Sequence, residues 1–258
     1  MITRRELFGQ FEEIGLPRDV PVAVHTSLRA VGEIEGRGEG LLDALIAWVT
    51  RDRLPDGGLL CVPTHTWNRL GGPEPVTLDM NDERTCVGTL PTLSLRRPDV
   101  LRTLHPTHSM AVFGDPEKAK EAARRYADTA VLMGVTVMML AGAILYAAAP
   151  AIFAMLTPDE RVRELGVTVL RIEAFAEPLY GASIVCSGAM RGAGDTLIPS
   201  IMNLASMWGV RIPLGFILVR RIGLAGYWIA MATELCFRGI IFLIRMLRGG
   251  WLKKGVRI

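Results

Sequence analysis

The chain has 258 residues, half of them hydrophobic, with 29 basic and 26 acidic side chains and a net charge of +3. That length admits one large domain or two ordinary ones. The near balance of charge excludes the basic footprint of a nucleic-acid-binding protein. The averages conceal a step: charges recur every few residues up to about Ala127, and long apolar runs take over from Asp128. A step of that size marks a candidate domain boundary. Cys61, Cys86, Cys186 and Cys236 make no C-x-x-C pair, and two of them lie in apolar runs, so all four read as buried free thiols.

The first segment, Arg4 to Ile14, places Leu7, Phe8, Phe11 and Ile14 at helical spacing, and Gly15 and Pro17 end it. Charge at Arg4, Arg5 and Glu6 interrupts any secretory apolar stretch, so this half is expected to stay in the cytoplasm. Val20 to His25 reads as a short buried strand. A glycine-rich turn from Gly36 to Gly40 is expected to precede a helix from about Leu41 to Thr50. Leu59 to Pro63 is a second buried strand. Strand, helix and strand in this order predict a βαβ unit.

Ligands in such sheets bind beyond the carboxyl ends of strands. His25-Thr26-Ser27 and Thr64-His65-Thr66 stand at those ends, and His105-Pro106-Thr107-His108-Ser109 forms a third polar cluster. All four histidines lie in these clusters. Hydroxyls and free backbone N–H groups there suit a phosphate or pyrophosphate. Zinc is the rival for grouped histidines, but the spacing matches no standard ligand pattern, so no metal ligand is assigned. Plain polar caps on strand ends are the third reading.

Thr129 to Thr157 is free of charged residues over a length that exceeds the ~20 residues needed to cross a bilayer core. Three further candidates follow: Gly166 to Met190 with Arg171, Glu173 and Glu177; Leu197 to Val219 with Arg211; and Ile222 to Ile244 with Glu234 and Arg238. Short polar connectors make them an antiparallel bundle of about four spans. Lys118, Lys120, Arg124, Arg125, Arg191, Arg245, Arg248, Lys253, Lys254 and Arg257 fall on one side, against Arg161, Arg163, Arg220 and Arg221 on the other. The positive-inside rule then puts both ends of the bundle in the cytoplasm, in a multi-pass protein of the inner membrane.

An intramembrane charge costs about 2.5 to 3.5 kcal/mol at a helix centre on the insertion scale. Glu173 and Glu177 share a helix face, and Pro178 follows them, so they read either as a cation or proton site or as groups reaching the interface. Glu234 and Arg238, four apart, read as a structural pair.

Two resemblances are carried by longer strings. Val24 to Gly32, Asp56 to Trp67, Val87 to Pro91, Arg97 to Arg102 and His105 to Ala111 resemble the motifs of aminoglycoside 3-N-acetyltransferases, over about Thr3 to Gly114. The resemblance implies acetyl-CoA as cofactor and an aminoglycoside amine as acceptor. Thr26, Ser27, Thr107, His108 and Ser109 would touch the CoA arm, with Thr26 in place of the more usual serine. The family's catalytic histidine and glutamate lie in a later N-T-S-x-H-x-x-E-like segment that this chain lacks, so no catalytic residue is assigned. A general base is needed to free the amine, so the segment reads as an incomplete enzyme.

Leu170 to Pro178, Ser187 to Thr196, Trp208 to Leu214 and Arg248 to Trp251 resemble the C-terminal part of multidrug and toxic compound extrusion (MATE) transporters. This second resemblance covers about residues 115 to 258. It implies H+ or Na+ as coupling ion, drug-like cations as cargo, and a fold of two lobes of which only the last four spans are here. The expectation is therefore a mixed fold: an α/β domain over 1–114, truncated relative to its family, fused to an all-α membrane domain over 115–258. A membrane-tethered acetyltransferase is the alternative.

Overall fold

The computed structural model describes residues 1–54, 56–69, 72, 85–105, 107–253 and 256–257. Pro106 of the third polar cluster and Lys254 of the basic count lie outside these described residues. The chain divides into two compact units: Met1–Arg124 with Gly192–Gly194 and Leu252–Ile258, and Arg125–Arg191 with Asp195–Trp251.

In the first unit, helix α1 (Arg4–Glu13) starts where Thr3 closes a capping box. The Thr3 hydroxyl accepts from the Glu6 amide at 3.3 Å, and the Glu6 carboxylate accepts from the Thr3 amide at 2.7 Å. Two amides that the first turn leaves unpaired are thereby satisfied. Strand β1 (Pro21–Ala23) leads to the short helix α2 (Leu28–Val31), then to α3 (Arg37–Val49) and β2 (Leu59–Pro63). β1 and β2 pair in parallel, with Val22 opposite Leu60, so the predicted βαβ unit is present.

Helix α3 starts earlier than about Leu41, and Gly38 and Gly40 lie inside it. The reason is close approach: a Cβ on Gly40 would stand 1.9 Å from the carbonyl oxygen of Glu35. These glycines serve packing where a turn was expected. After α4 (Thr89–Leu95), strands β3 (Leu101–Thr103) and β4 (Met110–Phe113) add antiparallel pairings. A last strand, β5 (Val256–Arg257), completes the order β1-β2-β4-β3-β5. The sheet is mixed, and the βαβ signal revealed only its parallel pair.

The core of this unit gathers Phe11, Leu42, Leu45, Trp48, Val49, Leu60, Val62, Leu90 and Phe113. Trp48 anchors it, with Phe8 and Phe11 edge-on at 5.3 and 5.8 Å. Its indole N–H donates to the Leu16 carbonyl at 2.9 Å, so the ring is buried without an unpaired donor. A second small cluster, Leu59, Leu101 and Val112, receives Ala119 and Ala122 from the first turns of α5 (Pro116–Leu156). Asp115 caps α5 by accepting from the amides of Glu117 and Lys118 at 2.8 and 2.9 Å. The helix therefore begins well before the apolar run that announced it.

The second unit is helical: the rest of α5, α6 (Glu160–Gly192), α7 (Leu197–Ser206), a π-helical turn (Met207–Arg211), α8 (Ile212–Ile222) and α9 (Leu224–Leu247). The π turn has a local cause. Pro213 has no amide proton for the Gly209 carbonyl, and its ring crowds that carbonyl, so the backbone widens before α8. Small residues let the helices close in. A Cβ on Gly142 of α5 would meet the Ala174 carbonyl of α6 at 2.7 Å, and one on Gly239 of α9 the Leu179 carbonyl at 2.4 Å. Such backbone contact is the usual basis of packing where lipid supplies no hydrophobic drive between helices.

Among the described residues, three helices are long and apolar enough to cross a membrane: α5, the continuous α7–α8 stretch and α9. α6, the second of the four expected spans, is long enough but is not in that group; it carries Arg171, Glu173 and Glu177. Only 11 % of the apolar window is buried in α5 and in α7–α8. Leu132, Met133, Val137, Leu140, Ile144, Ile201, Leu204, Trp208 and Phe216 all face outward. Apolar surface on that scale is matched by lipid rather than water. The expressed chain is accordingly expected to sediment with membranes and to resist alkaline carbonate; recovery as a detergent-free soluble monomer would contradict a membrane-spanning bundle.

Candidate functional site

Two clusters of chemistry-bearing side chains stand out, one in each unit. In the α/β unit, the two parallel strands end at His25-Thr26-Ser27 and Thr64-His65-Thr66. β4 runs the opposite way, so the third cluster, at its start, comes to the same end of the sheet. The Thr64 amide donates to the Ser109 carbonyl at 2.8 Å and the Thr66 amide to the Thr107 carbonyl at 2.9 Å. His65 and His108 rings lie 4.9 Å apart, and His105 and His108 rings 5.3 Å apart. The Cys86 amide and thiol both donate to the His65 carbonyl, at 2.8 and 3.1 Å. Among the described residues no group of three or more His, Cys, Asp or Glu side chains is arranged to hold a metal ion.

The five candidate residues of this end have different settings. Thr26 and Ser27 line a cavity of about 420 Å³ with Val24, His25, Pro63, Val87 and Pro91. Ser109 is buried; its hydroxyl donates to the Thr64 carbonyl at 3.0 Å and lies 3.4 Å from the Arg102 guanidinium. Thr107 is buried as well, its hydroxyl 2.8 Å from Nδ1 of His108. The ring of His105 accepts from the amides of Thr107 and His108 at 3.2 and 2.9 Å. Thr107 and Ser109 thus hold the strand ends together, while Thr26 and Ser27 face open space. Burial, then the charges of His108 and His25, push His65 below the ordinary imidazole pKa. Burial pushes the Cys61 thiol up to about 11, which removes it from nucleophilic chemistry near neutrality.

In the helical unit, the polar centre is built around Glu234 of α9, which is 0 % exposed. Arg211, at the end of the π turn, binds one carboxylate oxygen through Nε at 3.1 Å and Nη2 at 2.5 Å. Arg238, one turn along α9, stands 3.2 Å from the other oxygen. The Ser206 hydroxyl donates to that same oxygen. The expected Glu234–Arg238 pair is therefore part of a larger network. Arg211 was visible in the sequence only as a lone charge in an apolar run, a signal that demands a partner without naming one. A second ion pair, Asp195 with Arg245, ties the α6–α7 connector to the end of α9.

Glu173 and Glu177 lie half-buried on α6. Ile172 and Tyr180 pack toward Ala232 and Leu235 of α9. Each glutamate keeps one buried carboxylate oxygen, Oε2, without a hydrogen-bond partner among the described residues. Arg171 is engaged elsewhere, over the Tyr146 ring at 4.9 Å and 3.3 Å from its carbonyl oxygen.

Two outcomes follow from this geometry. The lowered pKa of His65 means that the unfolded chain binds the proton more tightly than the folded one. Stability is then complete above the ordinary imidazole value of about 6.5 and declines as the pH falls toward the lowered folded value. Urea unfolding of the full chain in detergent at pH about 7.5 and about 5 is expected to show that acid loss in the wild type and a smaller one in His65→Gln. Breaking a buried pair by removing one partner costs about 3 to 5 kcal/mol. Glu234→Gln should therefore lower the melting temperature in detergent far more than Glu160→Gln on the exposed first turn of α6; equal melting would deny the network any structural weight.

Comparison with known proteins places both halves. Residues 23–129 match the family model described as aminoglycoside 3-N-acetyltransferase, and residues 117–217 match that described as MatE. The two matches overlap over 117–129, in the first turns of α5. A probable multidrug resistance protein NorM of Thermotoga maritima is 29 % identical over 127 residues, covering 48 % of this chain and 27 % of that protein. The Mesorhizobium japonicum protein of the same name is 32 % identical over 142 residues, covering 52 % and 30 %. The chain thus spans under a third of the length of these relatives. Among solved structures, aminoglycoside acetyltransferase AAC(3)-IVa in complex with apramycin is 29 % identical over 45 % of this chain and 43 % of that one, with a TM-score of 0.36. YokD of Bacillus subtilis overlaps 46 % of this chain and 53 % of that one at 22 % identity and a TM-score of 0.39. Both overlaps are too partial to define a fold. On the two family matches and the transporter relatives, the chain joins a segment similar to the aminoglycoside 3-N-acetyltransferases to a membrane segment similar to the MatE efflux transporters.

Proposed function

We propose that the chain is a multi-pass protein of the inner membrane whose helical half is a cation-responsive piece of an efflux-transporter lobe, joined to an acetyltransferase-like half at about residues 114 and 115, without the full activity of either. The observation that carries this reading is the charged centre of the second unit. Glu234, Arg211 and Arg238 sit among helices whose outer faces are apolar, and Glu173 and Glu177 lie half-buried on α6 of the same unit. Ionisable groups in such a setting mark ion or proton pathways by default. Glu173 and Glu177 are the candidate cation ligands, with H+ or Na+ as the ion and drug-like cations as the cargo of the parent fold. The excess of basic residues on one side of the connectors supports cytoplasmic ends.

The α/β half supports a weaker reading of the same kind. The cavity beside Thr26 and Ser27 lies at strand ends, where phosphate-bearing ligands bind in sheets of this type. Thr26 and Ser27 would meet the CoA arm directly. Thr107, His108 and Ser109 would shape its wall. Acetyl transfer needs a base within reach of the amine. All four histidines precede Met110, so the later histidine–glutamate segment of the resembled family has no counterpart here. The tethered-acetyltransferase reading therefore lacks its chemistry.

Alternating access moves two lobes about a cleft between them. The transporter-like segment matches under a third of the length of the two NorM relatives, and these spans by themselves enclose no such cleft. Cells expressing the full chain are expected to gain neither cation-coupled dye efflux nor aminoglycoside acetylation above background. Efflux that Glu173→Gln with Glu177→Gln abolishes at equal expression would overturn this expectation and reveal a working oligomer.

A further inference from the structure

Without the end of the chain, β3 (Leu101–Thr103) would be the outer strand of the α/β sheet. The order is β1-β2-β4-β3-β5, and β5 (Val256–Arg257) comes from beyond α9, the last long helix of the other unit. It pairs antiparallel with β3, Val256 opposite Thr103 and Arg257 opposite Arg102. An outer strand presents unpaired N–H and C=O groups, a template on which another chain can pair. Here the chain's own tail occupies that template, and the first compact unit takes in Leu252–Ile258 together with Met1–Arg124.

The residues leading to β5 are held in place. Trp251 is buried, and its indole donates to the Met246 carbonyl at 3.2 Å, so the chain leaves α9 from a fixed point. Leu252 shares the wall of a cavity of about 520 Å³ with Lys118 and Glu121 of the first turns of α5. The tail is short and carries Lys253, Lys254 and Arg257, the composition by which natural sheets discourage further pairing at an edge. A second segment reaches the same place. Gly192–Gly194, the connector after α6, also belongs to the first unit. Gly194 has a φ of +79°, and a Cβ there would stand 2.5 Å from the Cβ of Leu104, the residue that follows β3.

We propose that the C-terminal tail is a strap whose docking surface is the outer edge of β3, so that the acetyltransferase-like half completes its sheet only with sequence that follows the transporter-like helices. The strap carries a parity constraint. Residues 101–103 and 256–257 share one sheet and therefore one side of any bilayer, so the helices between them cross it an even number of times. α5, α7–α8 and α9 are the three apolar helices among the described residues, and α6 makes the fourth crossing despite Arg171, Glu173 and Glu177. That consequence rests on the membrane-spanning reading of the helical half; the strap itself does not.

Cysteine pairs placed in register test the strap in the full chain in membranes. Opposed residues of an antiparallel pair have Cα atoms about 4.5 to 5.5 Å apart, within the range that a disulfide spans. Thr103→Cys with Val256→Cys, or Arg102→Cys with Arg257→Cys, is expected to link within one chain on mild oxidation, read as joined peptides by mass spectrometry. Thr103→Cys with Arg257→Cys, one step out of register and on opposite faces, is expected to stay unlinked. Hydrogen exchange gives a second reading: a chain ending at Lys253 is expected to exchange the 101–104 segment about tenfold faster than the full chain, with α7 to α9 unchanged. Unlinked register pairs, a link no better than the control, links between two copies, or equal exchange would each overturn the strap. A chain that sediments with membranes and shows no link overturns the strap alone. A soluble chain that keeps the link overturns the membrane-spanning reading and the fourth crossing, and leaves the strap standing.

Discussion

Ionised groups placed among apolar helices must find partners inside the protein, because lipid offers none. In this chain that requirement is met by the carboxylate of Glu234, which gathers Arg211 from the end of the π turn, Arg238 from its own helix and Ser206 from α7. The contacts reach across a helix break and a change of helix, so they fix the register of α7 and α8 against α9. The π turn is part of the same arrangement: Pro213 forces the wider backbone, and Arg211 is the residue that the wide turn ends on. Removing the carboxylate would leave two guanidiniums facing each other in the bundle.

The α/β unit depends on a different economy. Its core is hydrophobic, and polar groups at its margin are paired through the Thr3–Glu6 box, the Trp48–Leu16 bond and the Thr64–Ser109 contacts. The same contacts that bring three polar clusters to one end of the sheet also bury Thr107 and Ser109. Convergence in space therefore divides the candidate residues into those that face the cavity and those that hold its wall. A hydroxyl already bound to a strand carbonyl has less to offer a ligand than one facing open space.

Much of this was legible in the sequence because hydrophobic periodicity and charge are local signals. The apolar strands from Val20 and Leu59 announced a parallel pair, and the charge-free run from Thr129 announced a span. The glycines from Gly36 to Gly40 misled in one respect. Glycine marks a turn or a close approach alike, and only the position of the Glu35 carbonyl shows which it is. The start of α5 was missed for a related reason. Its first turns pack Ala119 and Ala122 on the sheet, a partner that the residues of α5 themselves do not name.

The sequence by itself determined the two-part character of the chain, because composition and motif strings are properties of neighbouring residues. It also determined which side chains carry chemistry: four histidines in polar clusters and a handful of charges in apolar runs. Only the tertiary structure decided how those side chains are partnered. That β4 runs antiparallel to β2, and so returns the third cluster to the first two, depends on strand pairing across nearly fifty residues. That Arg211 belongs to Glu234 depends on a π turn and a helix crossing. Spacing along the chain predicts contacts within one helix or one strand, and the partners of a buried charge are chosen by whichever elements pack against it.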